Sequence, residues 1–197
     1  MAYTAPLFST ESKLGVDLST SGLNSPFTPA TAATTTPEYP TPSGYFALGT
    51  QIEIANGGRA IYAGSTAAAL TAGDVVYLTG GTAAAANQAV ALSTTNAATA
   101  GQSKLAVALS SLTTGQTGWF LVEGICPAIN VVTAAANALL HTSATAGRLT
   151  GVLTTGVSFA VTAIIVTTTS GATAGTPPGI IGQGFSINTA NVTATLG

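Results

Sequence analysis

The only Trp of the chain stands in Gly118-Trp119-Phe120-Leu121-Val122-Glu123-Gly124, where four consecutive large apolar residues lie between glycines. A run this aromatic and β-branched does not suit a solvated loop and reads as a strand buried on at least part of both faces. Gly115-Gln116-Thr117-Gly118 supplies the turn that leads into it. Gly124 allows a bend or bulge, and Pro127 limits regular pairing beyond. Gln116–Pro127 is therefore the expected central strand of an all-β domain. Its expected core is Trp119, Leu121, Val122, Val75 and Tyr77, joined by Val107, Leu109, Leu139, Leu149, Phe159 and Val161.

Short strand patterns with turn punctuation flank this stretch on both sides. Ile52 and Ile54 alternate with Gln51, Glu53 and Ala55 up to Asn56-Gly57-Gly58, which predicts a hairpin returning through Arg59–Ala63. The turn Ala72-Gly73-Asp74 feeds Val75–Thr79, and strands are expected at Gln88–Ser93 and Lys104–Leu112. After the central strand come Ile129–Val132, Ala138–Thr142, Arg148–Leu153, Ser158–Thr168, Gly179–Ile187 and Val192–Leu196. The alanine runs at 67–69, 83–86 and 134–136 are too short to form stable helices alone, so at most a turn or two of helix is expected. Ala72–Thr79 also lines up with Ala135–Thr142, each a small-residue turn with Asp or Asn that feeds three apolar residues and ends in Thr. That pair reads either as two similar hairpin entries in a chain of few residue types or, more sharply, as a barrel with approximate two-fold internal similarity about Trp119–Glu123.

Charge sets the next limit. Only 5% of the 197 residues are charged, against about 25% in an average domain. Electrostatic solubility is thereby removed, and a chain of this kind is expected to associate with copies of itself or with a larger assembly. The basic residues Lys13, Arg59, Lys104 and Arg148 are scattered, so no stripe exists to neutralise phosphates and nucleic-acid binding is excluded. A mean hydropathy of +0.50 arises from Ala and Val in short segments. Every apolar run is interrupted well short of the roughly 18 residues of a membrane span. The N-terminus has neither a basic region nor an apolar one of the secretory type.

Residues 1–47 differ from the remainder. They hold six of the nine prolines, and Pro37-Glu38-Tyr39-Pro40-Thr41-Pro42 favours an extended path. Such composition also suits a tail or linker. A spacer, however, has no use for Leu7, Phe8, Leu14, Leu23, Phe27, Tyr39 and Phe46 distributed along it. The expected organisation is an extended Pro/Thr-rich N-terminal arm, 1–47, whose apolar groups anchor on a neighbouring subunit, followed by a compact β-barrel or sandwich-like domain, 48–197.

Few residues offer chemistry. His141 is the only imidazole, with no nucleophile or orienting carboxylate that sequence can place beside it, and is read as a strand residue. Cys126, between Ile125 and Pro127, reads as a small core residue. The six carboxylates show no metal-ligand spacing, and Asp74 most simply closes its own turn. Alternation puts Glu123 on the face of Trp119 and Leu121, where it needs a cation, with Arg59, Lys104 and Arg148 as candidates. Gly80-Gly81 and Gly179–Gly184 are turns without the Lys-Ser/Thr of a phosphate loop. No catalytic, cofactor or metal site is expected.

Three segments carry a family resemblance: Thr71-Ala72-Gly73-Asp74-Val75-Val76-Tyr77, Leu105-Ala106-Val107-Ala108 and Gly118–Gly124. Together they resemble the head-decoration, or capsid cement, proteins of tailed bacteriophages, and Ala138–Thr142 with Gly147-Arg148-Leu149 fits the same layout. The resemblance covers roughly 48–155; the proline-rich arm and the strands after about 156 depart from the shortest members. It implies a non-enzymatic structural virion protein without cofactor. Such a protein is made in the host cytoplasm and placed on the outer capsid surface, binds the major capsid protein and itself, commonly as a homotrimer, and locks neighbouring capsomers together. Neither nucleic acid nor membrane is an expected partner. The alternative is an oligomeric tail-fibre or receptor-binding β module, which calls for an exposed aromatic sugar platform or a long shaft.

Overall fold

The expected hairpin forms the start of the domain, with β1 (Gln51–Ile54) antiparallel to β2 (Gly58–Ser65). The computed structural model describes residues 46, 48–54, 57–65, 68–79, 88–97, 103–154, 157–170 and 174–182. Leu7, Phe8, Leu14, Leu23, Phe27 and Tyr39, with nearly all of the expected arm, lie outside the described residues, as does Val192–Leu196. The described elements are all strands.

Five strands close on themselves. Along with β2 these are β3 (Val75–Thr79), β4 (Gln88–Ala91), β5 (Lys104–Ala108) and β6 (Thr117–Cys126). β2 runs parallel to β4, β4 antiparallel to β3, β3 to β5, β5 to β6, and β6 returns antiparallel to β2. Alternation along the strands then sorts their side chains into two sets. One set comprises Ile61, Ala63, Val76, Leu78, Ala89, Ala106, Ala108, Phe120 and Val122, with Leu70 and Leu112. Its strand members all come from the five ring strands, so it is the barrel interior. A five-stranded barrel is narrow, and the alanines of β4 and β5 leave the room that Phe120 and Leu78 fill. Leu70 and Leu112 exchange two backbone hydrogen bonds of 2.8 Å beside this core.

The other set faces outward and is buried again beneath the rest of the chain. Tyr62 lies opposite Trp119 in the β2–β6 register. Phe46 joins them edge-on, with ring centroids 5.0 Å from Trp119 and 5.7 Å from Tyr62. Such aromatic contacts add to the area that the rings bury. The Tyr62 hydroxyl shares a 2.7 Å hydrogen bond with Thr117 Oγ1. Phe46, expected among the arm's anchors on a neighbour, packs here against its own chain. Trp119, Leu121, Val122, Val75 and Tyr77 are all buried; Val122 points into the barrel and the other four into this outer layer.

The covering layer is built from β7 (Leu140–Thr142), β8 (Leu149–Thr150), β9 (Ala160–Val161), β10 (Ile164–Val166) and β11 (Gly179–Ile181). β7 pairs with β8 and β9 in a separate three-stranded sheet. β11 pairs with the far end of β6 and with β10, extending the main sheet. Cys126, Ile129, Val131, Ala134, Leu140, Leu149, Val161, Ile164, Val166 and Ile181 complete the outer core.

Asp74 ties the two layers. Its Oδ2 accepts from Thr71 N at 2.7 Å, closing the turn as expected. Its Oδ1 accepts from Asn130 Nδ2 at 2.7 Å, which the turn chemistry alone does not foretell. Asn130 Nδ2 also donates to Ala72 O, and Asn130 N to Gly73 O. Beside this node Gly147 N donates to Leu92 O, while Val75 N donates to Gly147 O, both at 2.8 Å. Gly147 has φ +78°, and a Cβ there would stand 2.5 Å from Asp74 Cγ.

Three expectations are corrected. Leu139 is 53% exposed, because adjacent residues of an extended chain face opposite ways and Leu140 takes the inward position against Val161. Ile129–Val132 is not a regular strand but makes isolated bridges from Val131 to Leu149 and Gly175. Of the two readings of Ala72–Thr79 and Ala135–Thr142, the two-fold barrel fails. β3 is in the ring, β7 is in the separate sheet, and Asp74 is buried where Asn137 is exposed.

Trp119→Ala should lower unfolding stability by about 3–5 kcal/mol, read as a shift of the denaturant midpoint at unchanged slope. Gly147→Ala should cost more than the roughly 1–2 kcal/mol of its backbone conformation alone, since Asp74 must also move. A Gly147→Ala midpoint equal to that of the parent chain would contradict the packing described.

Candidate interaction surface

Glu123 finds one of its three expected cations. Arg59 Nε donates to Glu123 Oε2 at 2.7 Å, with the two side chains 34% and 25% exposed. The face expected from alternation is overturned. Arg59 lies opposite Glu123 while Ala60 lies opposite Leu121, so Val122 is an extra residue and β6 bulges there. The bulge breaks the period of two and brings Glu123 across from Arg59 instead of beneath Trp119. Lys104 stands near enough for its amine to be held below the usual lysine range, first by partial burial, then by Arg59, with Glu123 acting in the opposite sense. These three form a small charged cluster around one ion pair, and a partly exposed pair of this kind contributes at most about 1 kcal/mol.

The remaining candidate groups are packed away. His141 is buried in the middle strand of the small sheet, between Thr150 and Ala160, and its Nδ1 has no hydrogen-bond partner. No hydroxyl, thiol or carboxylate is thus coupled to that nitrogen among the described residues. Cys126 is buried, and its thiol donates to Ala128 O at 3.1 Å. Burial pushes the thiol up to about 11. Among the described residues no three His, Cys, Asp or Glu side chains cluster in a way that could hold a metal ion. No helix among them is long and apolar enough to cross a membrane.

Two surface features remain. A groove of 260 Å³ lies over the small sheet, lined by Thr142, Ser143, Thr150, Ser158, Val152 and Val157 among others. Four of its hydroxyls are engaged at home: Thr142 Oγ1 accepts from Phe159 N, Thr150 Oγ1 from Val152 N and Ser158 Oγ from Thr154 N, while Ser143 Oγ donates to Thr145 O. The groove presents the apolar side chains of Val152 and Val157 at its lip.

The second feature is a row of isoleucines on the extension of the main sheet. Ile180 of β11 is opposite Ile125 of β6 on one side and Ile165 of β10 on the other. The three are 62% (Ile125), 47% (Ile180) and 45% (Ile165) exposed. Their chain neighbours Cys126, Ile164, Val166 and Ile181 turn inward to the core. The sequence signal is the doubled isoleucine in Ile164-Ile165 and Ile180-Ile181, since two adjacent large apolar residues of a strand cannot share one face. The strands are readable from the sequence, but which strands adjoin is not, and so the row is not.

No protein-family model, curated protein or solved structure matches this chain.

The thiol gives a pH prediction. The folded chain holds the Cys126 proton more tightly than the unfolded one. That preference contributes stability which is whole below pH 9.0, the thiol's ordinary value, and is lost as pH rises toward about 11. Native protein should leave Cys126 unmodified by a thiol-specific disulfide reagent at mildly alkaline pH, and denatured protein should react fully; rapid labelling of the native form contradicts the burial.

Proposed function

We propose that the chain is a structural virion protein which decorates the outer surface of a capsid and holds neighbouring capsomers together, without enzymatic activity or cofactor. The observation that supports this reading most is where the three segments of the resemblance fall. Thr71–Tyr77, Leu105–Ala108 and Gly118–Gly124 supply β3, β5 and β6, which are consecutive neighbours in the closed ring. The similarity thus bears on one contiguous part of the fold and not on scattered turns.

The surface chemistry agrees with such a role. With 5% charged residues, the domain lacks what phosphate binding needs, and its described polar groups are largely hydroxyls and amides. The tail-fibre alternative calls for an exposed aromatic platform. The described aromatics Phe46, Tyr62, Tyr77, Trp119, Phe120 and Phe159 are buried or packed against the core.

Bridging capsomers needs reach, and the arm supplies it. Leu7, Phe8, Leu14, Leu23, Phe27 and Tyr39 are its anchors on a neighbouring subunit or the major capsid protein, the prolines having lowered the entropy lost on docking. Phe46, packed edge-on against Trp119, is then the point where the arm is fastened to the barrel. The working assembly is a homo-oligomer, taken as a trimer from the resemblance.

Deleting residues 2–40 should leave the barrel folded, with a melting curve like the full chain's, while abolishing or strongly weakening co-sedimentation with capsids. A truncated chain that decorates and stabilises capsids as well as the full-length one refutes the mechanism.

A further inference from the structure

We propose that the open edge of β1 receives residues 13–18 of a neighbouring copy's N-terminal arm as an added antiparallel strand, with Lys13 seated against Glu53. The inference rests on the reading of the arm as an anchor on a neighbouring subunit and names the surface that the anchor takes; it needs no capsid.

β1 is the last strand of the main sheet and, among the described residues, is paired on its β2 side alone. Thr50 O accepts from Tyr62 N, so Thr50, Ile52 and Ile54 turn their peptide groups to β2, while Gln51 and Glu53 turn theirs to the open side. Both of those residues are exposed. Such an edge is a ready template for one more strand. Its side chains offer two different faces. Ile52 and Ile54 pack with the outer core, and Glu53 lies opposite Arg59. Arg59 in turn lies opposite Glu123 and is bonded to it, with Lys104 of β5 near both. The row alternates in sign through Glu53, Arg59, Glu123 and Lys104. At the sheet edge it ends on a carboxylate that has no ion pair among the described residues.

Pattern and charge together pick out the occupant. Within residues 1–45, Leu, Ile or Val recurs at three alternate positions in a single place, Leu14, Val16 and Leu18. The same stretch carries Lys13, the single Lys or Arg of those residues. In an antiparallel strand with Lys13 beside Glu53, Leu14 falls beside Ile52 and Gly15 beside Gln51. The cation then continues the alternation of the charged row, and the aliphatic face continues that of Ile52 and Ile54. Glu11 and Asp17 fall past the two ends of β1, away from Glu53. Of the other cations, Arg59 is bonded to Glu123, Lys104 lies on β5 and Arg148 precedes β8 in the small sheet. Five of the nine prolines stand between Leu18 and Phe46 and favour an extended connection. At about 3.1 Å per residue it reaches roughly 80 Å. That is well past a domain whose radius of gyration is about 15 Å, so the strand is delivered to a neighbour. Backbone bonds and aliphatic contacts hold it there, and the exposed ion pair fixes its register.

The test is zero-length carbodiimide coupling of the purified full chain without capsids, read on a denaturing gel and by mass spectrometry of the linked peptides. Such a reagent joins an amine and a carboxylate only where they touch. The parent chain should give covalent multiples of 19.1 kDa that carry a link between positions 13 and 53. Lys13→Gln and Glu53→Gln should each lose that link while keeping the parent's circular dichroism spectrum. Reversing the signs decides whether two copies take part. Lys13→Glu chains and Glu53→Lys chains should show no such link when separate and should form it on mixing, which only a contact between copies allows. If either reversed chain does not fold, isotope-labelled and unlabelled parent chains are mixed instead, and the linked peptide should contain one half of each kind. A parent chain without the link, a link confined to single chains, or a mixture that forms none overturns the inference. Capsid co-sedimentation is scored separately. A chain that forms the link yet never decorates capsids sinks the proposed function alone, and one that decorates capsids without the link sinks this inference alone.

Discussion

The pairing of β2 with β6 is the contact on which the rest of the structure depends. It joins the first and last strands of the ring and turns a five-stranded sheet into a barrel. Closure requires two backbones to come together where β6 bulges. Gly124, at φ +108°, faces Gly58 so closely that a Cβ would stand 2.7 Å from the Gly58 Cα. Once closed, the ring gives every one of its strands an inside and an outside, and both are buried. That is why Trp119-Phe120-Leu121-Val122 is apolar without alternation: Phe120 and Val122 fill the barrel, while Trp119 and Leu121 carry the second layer.

The second layer is held by polar contacts as much as by apolar ones. Asp74, Asn130 and the Gly147 backbone join the turn before β3, the segment after β6 and the loop before β8. Few side chains other than Asp and Asn can satisfy several backbone donors and acceptors at so short a reach, and burying them unpaired would be costly. A chain that has almost no charge to spare keeps one of its six carboxylates for this joint.

Local structure was legible wherever local chemistry decides it. Val75–Thr79 is bounded by Gly73-Asp74 and Gly80-Gly81 and comes out with those limits, and the hairpin at Gly57-Gly58 follows from its turn residues. Arg59 was among the cations expected for Glu123, but alternation assigned the carboxylate to the wrong face because a single bulged residue shifts the period. What was not legible is long-range. Neither the closure of β2 on β6, nor the reach of Asp74 to Asn130, nor the meeting of Ile125, Ile180 and Ile165 leaves a mark in any short window, since each depends on which distant strands become neighbours. Leu139 and Leu140 show the same limit on a small scale: composition announces two core leucines, and register admits one.

A barrel of this kind has its interior and most of its outer face committed to folding, and what stays exposed among the described residues is poor in charge and includes one apolar row. The role proposed above is that of a part docked on a capsid. Cryo-electron microscopy of capsids assembled with and without this chain tests that account most directly. It predicts copies on the outer capsid surface, with density for residues 1–45 running onto a neighbouring subunit. Capsid reconstructions that are the same with and without the chain, or density for it confined to the tail, would contradict it.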